Sequence, residues 1–456
     1  MFKKFLVGAR NTQTITYAKE KNMKKVLVAG AALLLAGGIA STASAAAVEP
    51  GVKITGDARA RLIYKDSYDF GQKDDGDQTN LDHRIRFNVA GTAAGGAYAK
   101  ARIRVADSYA SDFDTDLGER ATLGGDNIWV DVAVLGVPFN DQFTTEVGKY
   151  RVTYGPGATT TNFFYDDVSL AGLRGIVKTD TVEFNPFVEW MDEAQMSTIA
   201  EDKKQDNDEM RFGGHLKVKA NEDWTFGGML GYQIDDREKK DAIIDDLQAY
   251  NTPNEGLFAS VYTKGKSGAM GFQAEFGYTE SDLNGFNNWR EDDNGDGKDN
   301  IGSEDDGIGG YIMPSYTMDA LTLALNLGFT QDGFLPDRAF GFIMIGTEEP
   351  ISAVKVGDTG DWMWGGLVAM YQVSESLKLT GNLAYVSVDA WDKGGGPLTS
   401  TPALDDAWEI SGKLQYTISK GADFYWLAGY LAPSFEDSAL EDDGAFGTYA
   451  KFELKF

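Results

Sequence analysis

The chain has 456 residues, 25% charged and 42% hydrophobic, with 54 Gly, 12% aromatics, two His and no Cys. Without cysteine there is no disulfide framework, no thiolate nucleophile and no thiolate zinc or iron-sulfur site, and two histidines are too few for most imidazole metal centres. Lys+Arg 42 against Asp+Glu 70 gives a net charge of −28, so a broad basic face for nucleic acid is not expected.

The one uninterrupted apolar run, Val26 to Ala40, is shorter than the ~20 residues a spanning helix needs. Met23-Lys24-Lys25 before it and Ala43-Ser44-Ala45 after it supply the basic region and small-residue cleavage site of a secretory signal. Residues 1–45 are therefore read as a signal peptide, with 1–22 as an upstream extension and Met23 as the natural start, and 46–456 as a single domain. Removing seven bases and one acid with the signal leaves 35 bases against 69 acids, a net charge of −34.

From Val52 onward about ten residues of period-two alternation are followed by either a very short turn or a long polar loop. Leu321 to Phe329 carries only Leu and Phe on one face and small or polar residues on the other. Eighteen such segments start near residues 52, 81, 96, 127, 142, 168, 180, 208, 223, 256, 268, 308, 320, 363, 377, 407, 421 and 446. Short turns such as Ala93-Ala94-Gly95 and Gly265-Lys266-Ser267 alternate with long polar loops, among them 107–126, 235–255, 280–307 and 331–361. A soluble sandwich must pack its greasy faces on each other and has no reason to sort its connections short and long. The fold class is accordingly all-β: a transmembrane antiparallel up-and-down barrel of about eighteen strands, with sixteen as the alternative, short periplasmic turns and long extracellular loops. Tyr64, Trp190, Trp224, Tyr232, Tyr278, Phe329 and Tyr385 sit at segment ends, where interfacial girdles belong. Pro186 and Pro314 fall inside candidate strands and do not fit, since each removes a ladder donor.

The first three segments carry a base at every second position: Arg59 and Arg61, Arg84 and Arg86, then Lys100, Arg102 and Arg104. Their neighbours are apolar or small, so alternation turns all seven inward, where they form a basic ladder; outward, each central charge would cost ~2–4 kcal/mol. Such rings select ions in pores without backbone filters. The plainer reading is a solvated wall paired with inward acids such as Asp57 and Asp82. Asp166 and Asp167, after the fifth segment, face the ladder if that loop folds inward. His215 lies on the polar side of its segment and His83 shares a face with Ile85 and Phe87.

Asp292-Asp293-Asn294-Gly295-Asp296-Gly297 matches the first half of a calcium loop, but its twelfth position is Ser303, one residue before Glu304. A solvated acidic loop is the main reading, without a cofactor; Ca2+ at Asp292, Asn294 and Asp296 is the alternative. Divalent ions on these acids could also bridge to lipopolysaccharide phosphates.

The end of the chain, Tyr449 to Phe456, places Phe452, Leu454 and Phe456 at alternate positions and resembles the C-terminal signal read by barrel-assembly machinery. With the signal peptide, the strand pattern and a short piece at Val147-Gly148-Lys149, residues 46–456 resemble a bacterial outer-membrane porin. The loop at Arg151 to Ala158 lacks the Pro-Glu-Phe-Gly-Gly type motif of the general porins, so its inward folding rests on position. The resemblance implies an outer-membrane location, contact with lipid and lipopolysaccharide, a homotrimer, and a water-filled channel for passive diffusion of ions and small hydrophilic solutes. A channel specific for an anionic solute is the alternative. A barrel enzyme is disfavoured because no nucleophile elbow or Ser-His motif is present. An adhesin or purely structural barrel is disfavoured because loop length is spread over nine loops.

Overall fold

The computed structural model describes residues 49–68, 70, 77–105, 128–157, 162–165, 168–193, 208–235, 255–281, 283, 290–292, 299–301, 306–337, 340–346, 349–357, 360–390, 404–435 and 443–456. The strands are β1 Gly51–Asp66, β2 Gln78–Thr92, β3 Tyr98–Val105, β4 Ile128–Pro138, β5 Phe143–Val152, β6 Val168–Lys178, β7 Val182–Glu193, β8 Asp208–Lys219, β9 Trp224–Asp235, β10 Gly256–Ser267, β11 Met270–Thr279, β12 Arg290–Asp292, β13 Asp299–Ile301, β14 Gly307–Met318, β15 Leu321–Gln331, β16 Gly360–Gln372, β17 Leu377–Ala390, β18 Leu404–Ser419, β19 Ala422–Phe435 and β20 Ala445–Lys455. Apart from the short hairpin β12–β13, they form one 18-stranded antiparallel sheet, closed by pairing of β1 with β20. All eighteen expected segment starts lie within three residues of the observed ones, and sixteen strands are excluded.

Closure follows from the sequence pattern. Outward positions such as Leu62, Leu135, Leu230, Val261, Trp408 and Ile410 are exposed apolar side chains, a distribution that only a non-aqueous surround makes stable. Such a surround leaves no water to satisfy an open sheet edge, so the first and last strands must pair. At the seam the Gly56 N–H donates to the Phe456 carbonyl at 2.7 Å, and the Phe456 N–H donates back to Gly56 at 3.0 Å. A Cβ on Gly56 would lie 2.6 Å from the Phe456 ring, which also meets Phe87 edge-on at 5.9 Å. Glycine lets the terminal ring close the seam.

The two prolines do lie inside strands. Pro186 pairs with Gly214 on its β8 side, but the β6–β7 ladder steps from Arg174–Phe187 to Val177–Phe184. Likewise Pro314 pairs with Phe272, while the β14–β15 ladder steps from Ile312–Leu327 to Ser315–Ala324. Each proline interrupts one of its two ladders and leaves the other whole, so the missing N–H weakens the sheet on one side only.

One expectation fails. The connection between β15 and β16 is not a solvated polar loop: Phe334, Phe340, Ile343, Met344, Ile345, Ile351, Val354 and Val356 are buried inside the barrel. The reason is compositional. Phe340-Gly341-Phe342-Ile343-Met344-Ile345 is an apolar run that lies off the lipid-facing wall, and the lumen is the remaining place to cover it.

Candidate functional site

Register places all seven expected bases on the inner wall, since Ala58, Ala60 and Leu62 of β1 pair outward with Ile85, His83 and Leu81 of β2. Acids on the same wall hold the bases in place. Asp57 accepts from Arg84 at 3.3 Å and Arg86 at 2.9 Å, and Asp82 pairs with Arg61. Asp131 of β4 meets Arg102 at 2.6 Å, Arg104 at 2.5 Å and Arg151 at 3.8 Å. Glu146 of β5 meets Arg174 at 2.5 Å, Lys100 at 3.7 Å and the Tyr98 hydroxyl at 2.5 Å. Asp131 reaches the wall through a bulge in the β3–β4 ladder between Arg102 and Ile103.

Sequence reasoning missed Asp131, Glu146, Arg151 and Arg174. Glu146 and Arg174 were findable, because each alternates with an apolar neighbour, Val147 and Leu173, that belongs to the outward face; the bulge that places Asp131 had no sequence signal. With them, four carboxylates face nine of the bases on β1–β6, and Lys65 of β1 is a further base on the same face. Arg59 stands directly opposite Arg84, and Arg86 opposite Arg104, juxtapositions that destabilise a sheet unless counter-charge or water shares them. Side-chain exposure is 10–18% for Arg61, Arg84, Arg86, Arg102 and Arg104 against 51% for Lys100. The arginine stems are covered, and their charges are held rigidly at the water boundary.

Two segments narrow the lumen. The described parts of the connection after β5 fold inward, as expected from position, and bury Tyr154, Phe163, Phe164 and Tyr165. Its neck is closed by the Tyr154 N–H donating to the Tyr165 carbonyl at 3.0 Å. Tyr154 stacks on His215 at 4.4 Å, the Phe163 N–H donates to Glu275 at 2.9 Å, and the Tyr165 hydroxyl reaches Glu189 at 3.4 Å. Burial pushes the Tyr154 phenol up to about 12 and Tyr165 well above its ordinary range, so both remain neutral. Asp166 and Asp167 lie outside the described residues.

The second segment, between β15 and β16, docks on the first: the Asp337 N–H donates to the Phe163 carbonyl at 2.8 Å, and Phe163 stacks on Phe334 at 5.3 Å. It is fastened to the wall by Glu409 of β18, whose carboxylate accepts the consecutive amides of Ile343, Met344 and Ile345 at 3.0, 3.0 and 2.8 Å and the Ser411 hydroxyl at 2.5 Å. Tyr449 adds a 2.5 Å bond to Glu349. These anchors lie on β7–β11 and β18–β20, and the last of them borders the arginine-bearing wall: β20 pairs with β1, and the Arg61 guanidinium lies 6.0 Å from the centre of the Tyr449 ring.

His83 faces outward and His215 inward, as read. Of the candidate calcium ligands, Asp292 pairs through its backbone with Asp299 in the β12–β13 hairpin, while Asn294 and Asp296 lie outside the described residues. Phe452 and Leu454 are exposed outward with Phe456.

The profile of the Gram-negative porin family matches residues 29–390. A BenF-like porin from Pseudomonas fluorescens Pf-5 superposes with a TM-score of 0.52 at 10% identity, over 89% of this chain and 98% of that one. OpdO of Pseudomonas aeruginosa gives 0.52 at 12% identity over 90% and 98%, and OccK11 of the same organism 0.51 at 12% over 91% and 99%. At such identities these likenesses speak for the fold. Comparison with curated proteins finds no match.

Proposed function

We propose how the lumen filters solutes from the premise that the chain belongs to the Gram-negative porin family and is a passive diffusion channel of the outer membrane. The β1–β6 wall is its selectivity element. Its bases against four acids leave a surplus of fixed positive charge, held by the acids in one geometry, beside the two inward segments that narrow the path. Anions are favoured there. The net charge of the whole chain acts in the opposite sense by enriching cations at the mouths. Distance decides between them, because the screening length is ~8 Å at 0.15 M salt and ~30 Å at 0.01 M.

The test is a planar-bilayer reversal potential across a salt series. The parent should move toward cation preference as salt falls, and Arg84→Gln with Arg86→Gln, Arg102→Gln and Arg104→Gln should move the high-salt value the same way. A variant that folds, conducts and keeps the parental potential at every salt concentration would reduce the ladder to a passive wall. Saturable conductance in the parent would favour a channel specific for an anionic solute instead.

A homotrimer and a cleaved signal at residues 1–45 complete the proposal. What supports the trimer is the outward row Ala101, Ala133, Lys149 and Ala171 across β3–β6. Small residues allow close approach of a neighbour, and Lys149 in lipid would cost ~2–4 kcal/mol near the midplane. Lys149→Glu should lower the trimer fraction in mild detergent without loss of folded monomer; an unchanged trimer removes this face from the interface.

A further inference from the structure

On the wall opposite the arginines, between β10 and β17, a cavity of about 400 Å³ opens to the lumen near the short-turn rim. That volume falls in the range of small-molecule sites, roughly 300–1,000 Å³. Three lysines line it: Lys264 and Lys266 at the end of β10, and Lys378 at the start of β17. Ser315 and Thr322 add hydroxyls, and Met313 with Met370 gives an apolar side.

Among the described residues no carboxylate lines this cavity. Lys266 has an acid partner, Asp223 at 3.7 Å, but both are more than half exposed, so water and salt screen the pair. Lys264 donates to a neutral acceptor, the Gly157 carbonyl of the inward segment after β5, at 2.5 Å. Among the described residues Lys378 has no ion-pair partner, and Lys217 adds a further like charge close enough to act on Lys264. Three like charges around one concavity repel one another unless something anionic shares the space.

We propose that this cavity is an anion-binding site on the periplasmic side of the channel, taking small monocarboxylates with a short apolar body. The carboxylate sits among the three ammonium groups with hydroxyl donors beside it, and the alkyl part lies on Met313 and Met370. The inference rests on the channel reading. Its place follows from the same electrostatics: an anion leaving a positive constriction moves on only if a second site of comparable strength lies ahead, since conduction needs several sites that each release their ion.

Butyrate is the probe, added on the short-turn side of the reconstituted full chain while chloride current is read from single channels. Saturable current reduction is expected, and Lys266→Gln with Lys378→Gln should raise the half-blocking concentration about tenfold, as the loss of charge-assisted contacts requires. Acetate should block more weakly than butyrate. The four-arginine variant should keep the block while its reversal potential shifts, so failure of the ladder reading and failure of this site give different patterns. Equal block in the lysine variant, or block that follows the arginine variant, overturns the site. Lys264 is left intact because it also holds the inward segment. Circular dichroism and heat-modifiability confirm that each variant is folded.

Discussion

Glu409 is the most testable single residue in the lumen. It is fully buried, and its two oxygens accept three consecutive backbone amides of the inward segment after β15. A hydrogen bond to a charged group contributes about 1.5–3 kcal/mol, so the three amides together represent on the order of 5–9 kcal/mol of gross interaction, most of which Glu409→Ala removes. Opposing local release of the 340–345 run is the burial of Phe340, Ile343, Met344 and Ile345, at about 1.5–3 kcal/mol each, while the Tyr449 bond to Glu349 and the Tyr68 hydroxyl bond to the Ile351 carbonyl hold the rest of the segment. The two sides are of similar size. The segment should therefore leave the wall for part of the time rather than permanently, and the barrel itself should persist, because β18 keeps its ladders with β17 and β19. Single-channel recording should show new open-channel noise and a higher mean conductance, and limited proteolysis should cut within residues 340–357. Glu409→Gln retains one acceptor oxygen and should fall between the parent and Ala. Parental conductance, noise and protease resistance in Glu409→Ala would show that apolar packing alone holds the segment.

Phe456→Ala opens the contact with Phe87 and the fit over Gly56, so the amount of heat-modifiable folded barrel in the outer membrane should drop; unchanged amounts would remove the terminal ring from assembly. For Asp292, Asn294 and Asp296 the expected result of calcium binding is faster cleavage of the 280–307 loop after chelation, with the triple Ala variant already fast. Equal rates with and without calcium leave a solvated acidic loop.

The barrel was legible because its rule is local. Lipid outside and water inside turn each side chain by parity, so Leu321 to Phe329 declares a strand and a greasy face without reference to any other part of the chain. The same parity placed Arg59 to Arg104 on the inner wall. It also held at Pro186 and Pro314, whose misfit is confined to one side of each strand: a missing donor costs one ladder, and a strand has two. What parity does not encode is pairing across the lumen. Asp131 meets Arg102 and Arg104 through a bulge, and Glu409 meets Ile343 across more than sixty residues of sequence. Neither follows from spacing along a strand.

The connection after β15 shows where the parity rule ends and a different one begins. A loop is expected to be solvated when its backbone polar groups are left for water, and that expectation sets aside composition. Phe334, Phe340, Phe342, Ile343, Met344 and Ile345 weigh against it, because such a run exposed at the mouth of a channel would cost about 25 cal/mol for each Å² left wet. Folding the run into the lumen covers the side chains but strips water from three successive amides, and an amide without an acceptor costs about 1–3 kcal/mol. A single acid on the inner wall meets that need, so a buried Glu at an inward strand position and an apolar run in a long connection explain each other. Glu275 beside the Phe163 amide repeats the pairing on the other inward segment. In both, a strand carboxylate that belongs to no ladder of bases marks where a segment of chain enters the pore.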